Sequence, residues 1–132
     1  MARARFNNKN QFFVGLDRFK DATEQDHANL IRKVAFQLLD LIVRKTPVDT
    51  GRARGNWQVA VDTEAGEATV DGGPAGAVTA IGLSKLASVK AFSTVVIYNN
   101  VEYIVFLEEG SSTQAPQGMV QISIAEVESQ FR

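Results

Sequence analysis

The sequence predicts an α+β domain in which a long N-terminal helix packs on a small antiparallel sheet and a C-terminal helix closes the fold. Three observations predict it. Apolar residues between Asp21 and Lys45 recur with the period of one helix face. Short runs rich in β-branched and aromatic residues, at 56–61 and 93–98, read as strands. The order helix, two strands, helix, strand, helix, helix does not alternate strictly, which disfavours a doubly wound parallel sheet.

Residues 1–20 mix Arg, Asn, Lys and Gln with Phe6, Phe12, Phe13, Leu16 and Phe19. Neither strict alternation nor a helical period is present, so this segment reads as an extended N-terminal arm, ahead of a single domain over 21–132. Its phenylalanines need a covering surface, either the chain's own core or a neighbouring subunit. In the helix over 21–45, Leu30, Ile31, Val34, Leu38, Leu41, Ile42 and Lys45 follow the i, i+3/4, i+7 spacing. Asp21 with Glu24 resembles a capping box, and Arg44 and Lys45 suit the negative end of the helix dipole. Pro47 disfavours the helical conformation at Thr46 and stops the helix after roughly 37 Å.

Thr46-Pro47-Val48-Asp49-Thr50-Gly51 is a turn by composition, with Asp49 accepting backbone hydrogens and Gly51 supplying a positive φ. The strand at 56–61 puts Trp57, Val59 and Val61 on one face. A turn at 64–66 leads to a short return strand at 67–70. The glycine-rich loop 71–76 precedes a short helix over 77–89, and 93–98 is the strongest strand signal in the chain. Asn99-Asn100 turns into a short helix over 102–109, stopped by Gly110 in the C′ position. After a polar loop, Pro116 opens a last helix to about residue 130, with Met119, Ile122, Val127 and Phe131 inward.

With 132 residues, 45% of them hydrophobic and 22% charged, the chain has the makeup of one compact domain with a real core. The absence of cysteine excludes disulfides and thiolate metal sites. No apolar run approaches the ~20 residues that cross a bilayer, and the start of the chain lacks the apolar stretch of a secretory signal, so a cytoplasmic protein is expected. A net charge of −1 disfavours a dedicated nucleic-acid binder. Charge is nevertheless polarised: Arg3, Arg5 and Lys9 are basic, whereas Glu102, Glu108, Glu109, Glu126 and Glu128 are acidic. Opposite signs at opposite ends favour head-to-tail contact between identical subunits.

Asp49-Thr50-Gly51 matches the triplet of aspartic proteases, and one copy per chain would suit a homodimeric enzyme. Those enzymes place the triplet after an apolar strand, however; here it follows a helix end, and Arg52 and Arg54 would favour ionisation of both carboxylates. His27 is the only histidine, and Gly72-Gly73-Pro74-Ala75-Gly76 lacks the Gly-Lys-Ser/Thr ending of a phosphate loop. Arg52 and Arg54, on one face of an early-starting strand, read as contacts to a partner's carboxylates or to DNA phosphates, with Trp57 as core.

The string from Thr46 through Gly51, Arg52, Arg54 and Asn56 to Trp57 resembles the hallmark of the head–tail joining and tail-completion (neck) proteins of tailed bacteriophages, the minor tail protein Z-like family. The stretch from Asn99 through Tyr103, Phe106, Glu108, Glu109 and Gly110 to Ser112 resembles that family's second conserved region, and Gln114–Met119 resembles the approach to its last helix. The likeness covers about residues 21–130. It implies a non-enzymatic virion protein of the neck or tail, without cofactor, assembled in the host cytoplasm as a homo-oligomeric ring, commonly a hexamer. Its implied partners are portal or connector adaptor proteins and tail tube or terminator proteins, with non-specific contact to genomic DNA in the channel and no membrane. Residues expected at a subunit interface or channel are Arg3, Arg5, Phe12, Phe13, Asp49, Arg52, Arg54, Glu108 and Glu109. The alternatives are a tail terminator or minor tail protein, a homodimeric aspartic protease using Asp49, and a DNA-binding accessory using Arg3, Arg5 and Lys9.

Overall fold

The structure, a computed structural model, describes residues 2–6, 12–16, 24–110, 112–115 and 117–130, with side chains from residue 24 onward. Its axis is helix α1, Glu24–Lys45. The 22 residues rise about 33 Å; Asp21, the expected cap, lies outside the described residues. Ile31, Val34, Ala35, Leu38, Leu39, Ile42 and Val43 are all nearly inaccessible to solvent. This stripe is wider than the spacing of leucines and isoleucines predicts, because α1 is covered from several sides. It packs on α3 (Ala75–Leu86), on α5 (Val120–Gln130) and on strand β4 (Val95–Asn99). Leu30 and Leu41 sit at the stripe's edges, and Lys45 ends it with an ion pair to Glu126 of α5 at 2.7 Å.

Strand β3, Trp57–Val61, pairs antiparallel with β4, Trp57 opposite Asn99 and Val61 opposite Val95. Period-two alternation sends Trp57, Val59, Val95 and Ile97 into the main core, with Val61 packed at its margin. The opposite face carries Ala60, Val96 and Tyr98. Two further strands, β1 (Ala2–Phe6) and β2 (Phe12–Leu16), pair antiparallel with Phe6 opposite Phe12. Thus the N-terminal segment contains a strand pair; β2 runs alongside β4, and β1 lies near α5. The result is the expected α+β arrangement, a long helix on a small antiparallel sheet with a C-terminal helix.

Helix α3 starts two residues earlier and ends three earlier than its pattern predicts. It crosses α1 closely at Gly82, where a Cβ would collide with Leu39 Cδ2. The return strand expected at 67–70 does not form. Side-chain amides replace a ladder there: Asn100 Nδ2 donates to the carbonyls of Gly66 and Ala68, Gln58 Nε2 also donates to Ala68 O, and Asn56 Oδ1 accepts from Val70 N. With Glu67 through Val70 all exposed, the segment buries no apolar face that would hold it in a sheet.

The short helix α4 covers Ile104–Glu108 only, followed by Gly110 at φ +89°. Helix α5 begins at Val120 rather than at Pro116. Its start is fixed from outside by the Glu108 carboxylate, which accepts from the N–H groups of Met119, Val120 and Gln121. Val120, Ser123, Ile124 and Val127 face inward, while Ile122 is half-buried. Phe131 lies outside the described residues.

Candidate assembly face

The two strings that mark this sequence, 46–57 and 99–112, lie about fifty residues apart in the chain and meet in space. The first leaves α1 through Thr46, whose hydroxyl donates to Ile42 O and accepts from Trp57 Nε1 at 2.8 Å, in a site closed to water. Gly51 then adopts φ +84°, a conformation costly for any residue with a Cβ. It is the Thr50 hydroxyl, rather than the Asp49 carboxylate, that receives a backbone hydrogen bond, from Arg52 N at 3.3 Å.

Arg52–Gly55 forms a single helical turn, α2. This corrects the expectation that Arg52 and Arg54 share a strand face: Gly51 turns the chain into a helix, and extended geometry starts only at Trp57. Asn56 closes the turn by donating to Arg52 O at 2.7 Å. From the second string, fully buried Asn99 donates to Ala53 O at 2.8 Å, while its Oδ1 accepts from Val101 N. The Asn56 amide thus serves a carbonyl at the end of a four-residue helix, and the Asn99 amide adds a second donor to Ala53 O, which also accepts from Asn56 N.

The charged side chains complete the junction. Arg52 Nη1 donates to Glu102 Oε1 at 2.8 Å and its guanidinium lies over the Tyr103 ring, 5.9 Å from the centroid. The hydrogen bond from Arg52 holds the Glu102 carboxyl below the usual carboxylate range, and the same bond raises the guanidinium further. Gln114 clasps the Val48 backbone twice, accepting from its N–H at 2.9 Å and donating to its carbonyl at 3.2 Å. The turn is therefore clamped to the loop that follows α4.

Three cavities adjoin along this face. One of about 460 Å³ is lined by Asp49, Thr50, Gly51, Arg52, Tyr103 and Leu107, among others. The next, about 560 Å³, shares Thr50, Gly51 and Arg52 with it and adds Arg54, Asn56, Asp71 and Gly73. The third, about 300 Å³ and mainly apolar, shares Gly55, Val70, Asp71 and Gly72 with the second and is floored by Trp57, Val59 and Val78, with Ile81 at its mouth.

The predicted interface residues divide accordingly. Asp49, Arg52 and Arg54 share adjoining cavities on this face, and Glu109 is exposed at the end of α4. Glu108 turns inward as the cap of α5. Arg3 and Arg5 lie on β1 opposite Gly15 and Phe13, and Phe12 lies opposite Phe6; their side chains lie outside the described residues. Sequence reasoning named Gln114, Asn56 and Asn99 only as members of the resembling strings and gave none of them a contact, because an amide's partner 14 to 66 residues away leaves no local pattern. Among the described residues, no group of His, Cys, Asp and Glu is arranged to hold a metal ion, and no helix is long and apolar enough to cross a membrane.

A family model described as "HK97-gp10_like: Bacteriophage HK97-gp10, putative tail-component" matches residues 14–110. The matched span includes the end of the N-terminal segment and both strings up to Gly110, and it stops before Gln114 and α5. No curated protein and no solved structure matches the chain.

Proposed function

The chain belongs to the HK97-gp10-like family and is a structural component of a bacteriophage tail; on that premise we propose that it is the subunit of a ring, a hexamer, in the phage neck that joins the capsid connector to the tail. Family membership carries this reading. The structure supports it by what the marker residues do: Thr46, Asn56, Trp57 and Asn99 hold the shape of one face, and none is arranged to break a bond. A face held by these hydrogen bonds, with an apolar pit and charged groups, suits heterologous contacts that close into a ring. Its neighbours would be portal or connector adaptor proteins on one side and tail tube or terminator proteins on the other. Arg3, Arg5, Phe12 and Phe13 are proposed to face neighbouring subunits or DNA in the channel.

A role as a tail terminator or minor tail protein shares these features and differs by one layer of the particle. The protease reading is less favoured: Asp49 stands exposed on a bend after a helix end, in the same cavity as Arg52. Particles assembled without this protein test the proposal. Electron micrographs should show filled heads and finished tails that are not joined, with joining restored by adding purified protein. Tails of uncontrolled length would indicate the terminator role instead. Normally joined, infectious particles would overturn the neck assignment.

A further inference from the structure

The ring reading requires each copy to carry two different surfaces that fit one another. On the receiving side, the apolar cavity is open to solvent through Ile81 and Val70, 53% and 44% exposed, with Lys85 at its rim. In the adjoining cavity Arg54 is half-buried; its Nε is closed to solvent and has no hydrogen-bond partner among the described residues, and Asp71 in the same cavity forms no ion pair with it. Buried guanidinium nitrogens are ordinarily satisfied, so this one calls for an acceptor from elsewhere.

On the presenting side, α4 carries Phe106 at 62% exposure, with Glu109 three residues on. Residues at this spacing share one helix face, with Cβ atoms about 5–6 Å apart. Glu109 is exposed, and its carboxylate has no partner among the described residues. An aromatic knob and a free carboxylate one turn apart thus match an apolar pit and an unpaired guanidinium in cavities that share four lining residues. The Tyr103 and Leu107 face of α4 lines the cavity at the far end of the same row. A head-to-tail contact between knob and pit leaves a free knob and a free pit for the next copy, whereas a two-fold pairing would use up both and stop at a dimer.

We propose that the occupant of the apolar cavity is Phe106 of a second copy of this chain, with that copy's Glu109 directed to Arg54 and Lys85. This rests on the ring reading and specifies its contact. The chain has no cysteine, so engineered thiols report without background. In the Phe106→Cys/Ile81→Cys chain, bridging with a short bismaleimide, in purified oligomer and in assembled particles, should give a ladder of covalent multimers, and each single variant none. A dimer from Phe106→Cys alone would overturn the head-to-tail contact. So would ring-bearing, joined particles that give no ladder. In solution, Phe106→Glu should weaken self-association about 30-fold or more. Arg54→Glu and Glu109→Arg should each weaken it, and their combination should restore it. If Arg54→Glu leaves assembly intact and lowers salt-dependent DNA affinity, the cavity serves phosphate and the contact is wrong. A chain that is monomeric both in solution and in the particle would overturn the ring itself. A ring that survives Phe106→Glu, Arg54→Glu and Glu109→Arg alike overturns only this contact.

Discussion

Replacing Glu108 with alanine removes one carboxylate and leaves three backbone donors at the start of α5 without their acceptor. Two of these, on Met119 and Val120, belong to residues with no accessible surface, and Glu108 itself is 9% exposed. Loss of an N-cap costs about 0.5–2 kcal/mol, and removal of a partly buried charge from the positive end of a helix dipole adds up to about 2 kcal/mol. Each buried donor left unpaired adds to this, although water entering the vacated space recovers part of the loss. A destabilisation of about 3 kcal/mol follows, or a fall in Tm of about 10 °C for a chain of this size. Glu108→Gln keeps one carbonyl oxygen. Since Oε1 alone serves both Met119 and Val120, this variant should lose only the Gln121 contact and the charge, about 1–1.5 kcal/mol. Urea and thermal unfolding followed by far-ultraviolet circular dichroism give both values. Equal losses for the two variants, or an alanine variant within about 0.5 kcal/mol of the parent, would refute the capping role.

Two further outcomes follow from the junction. Because the folded-state pKa of Glu102 is depressed by Arg52, the pair's contribution is present above the ordinary glutamate pKa and is lost as pH falls through the lowered one. The pair is solvent-exposed, so its effect on stability is small; a carboxyl NMR titration is the sensitive readout. Glu102 should titrate below the usual glutamate range and return to it in Arg52→Ala; an unmoved midpoint in that variant counts against the assignment. Thr46→Val keeps the side-chain shape but removes the acceptor of Trp57 Nε1 and the donor to Ile42 O, and should cost about 1–2 kcal/mol with a changed Trp57 emission spectrum. A variant as stable as the parent would show that this buried hydroxyl is dispensable.

Periodicity gave α1 because a buried helix face leaves a repeating mark, and the β-branched run Val95–Ile97 gave β4 because both of its faces are covered. The face of Trp57, Val59 and Val61 and the positive φ of Gly51 and Gly110 were legible for similar reasons: the required residue types are local and few. What failed was whatever depends on a partner distant in sequence. The strand expected at 67–70 has fair strand formers in Thr69 and Val70, but Asn56, Gln58 and Asn100 bind its backbone groups and no ladder forms. Pro116 looked like a helix start, yet the start is set at Val120 by a carboxylate eleven and twelve residues upstream of the amides it holds. Asp49, Arg52, Arg54 and Glu109 stand out in the sequence by charge and position, whereas the exposure of Phe106 and Ile81 is not legible there, because exposure of an apolar residue depends on the fold around it.

The marker strings mix two kinds of residue that a sequence displays alike. Thr46, Asn56, Asn99 and Glu108 each have polar partners inside the domain, so folding alone accounts for them. Arg54 and Phe106 do not: among the described residues one has a buried nitrogen with no partner, and the other is largely exposed. In a domain stable by only about 5–15 kcal/mol, such groups detract from the isolated subunit unless a second molecule supplies what is missing. Variants of the first kind should therefore lower unfolding stability and weaken assembly only in proportion to the unfolded fraction. Variants of the second kind should leave unfolding unchanged or improve it, as Phe106→Glu exchanges exposed apolar surface for charge, while weakening association directly. Plotting unfolding free energy against association constant for both sets separates them; a single line through all the variants would mean that this face has no role apart from the fold it belongs to.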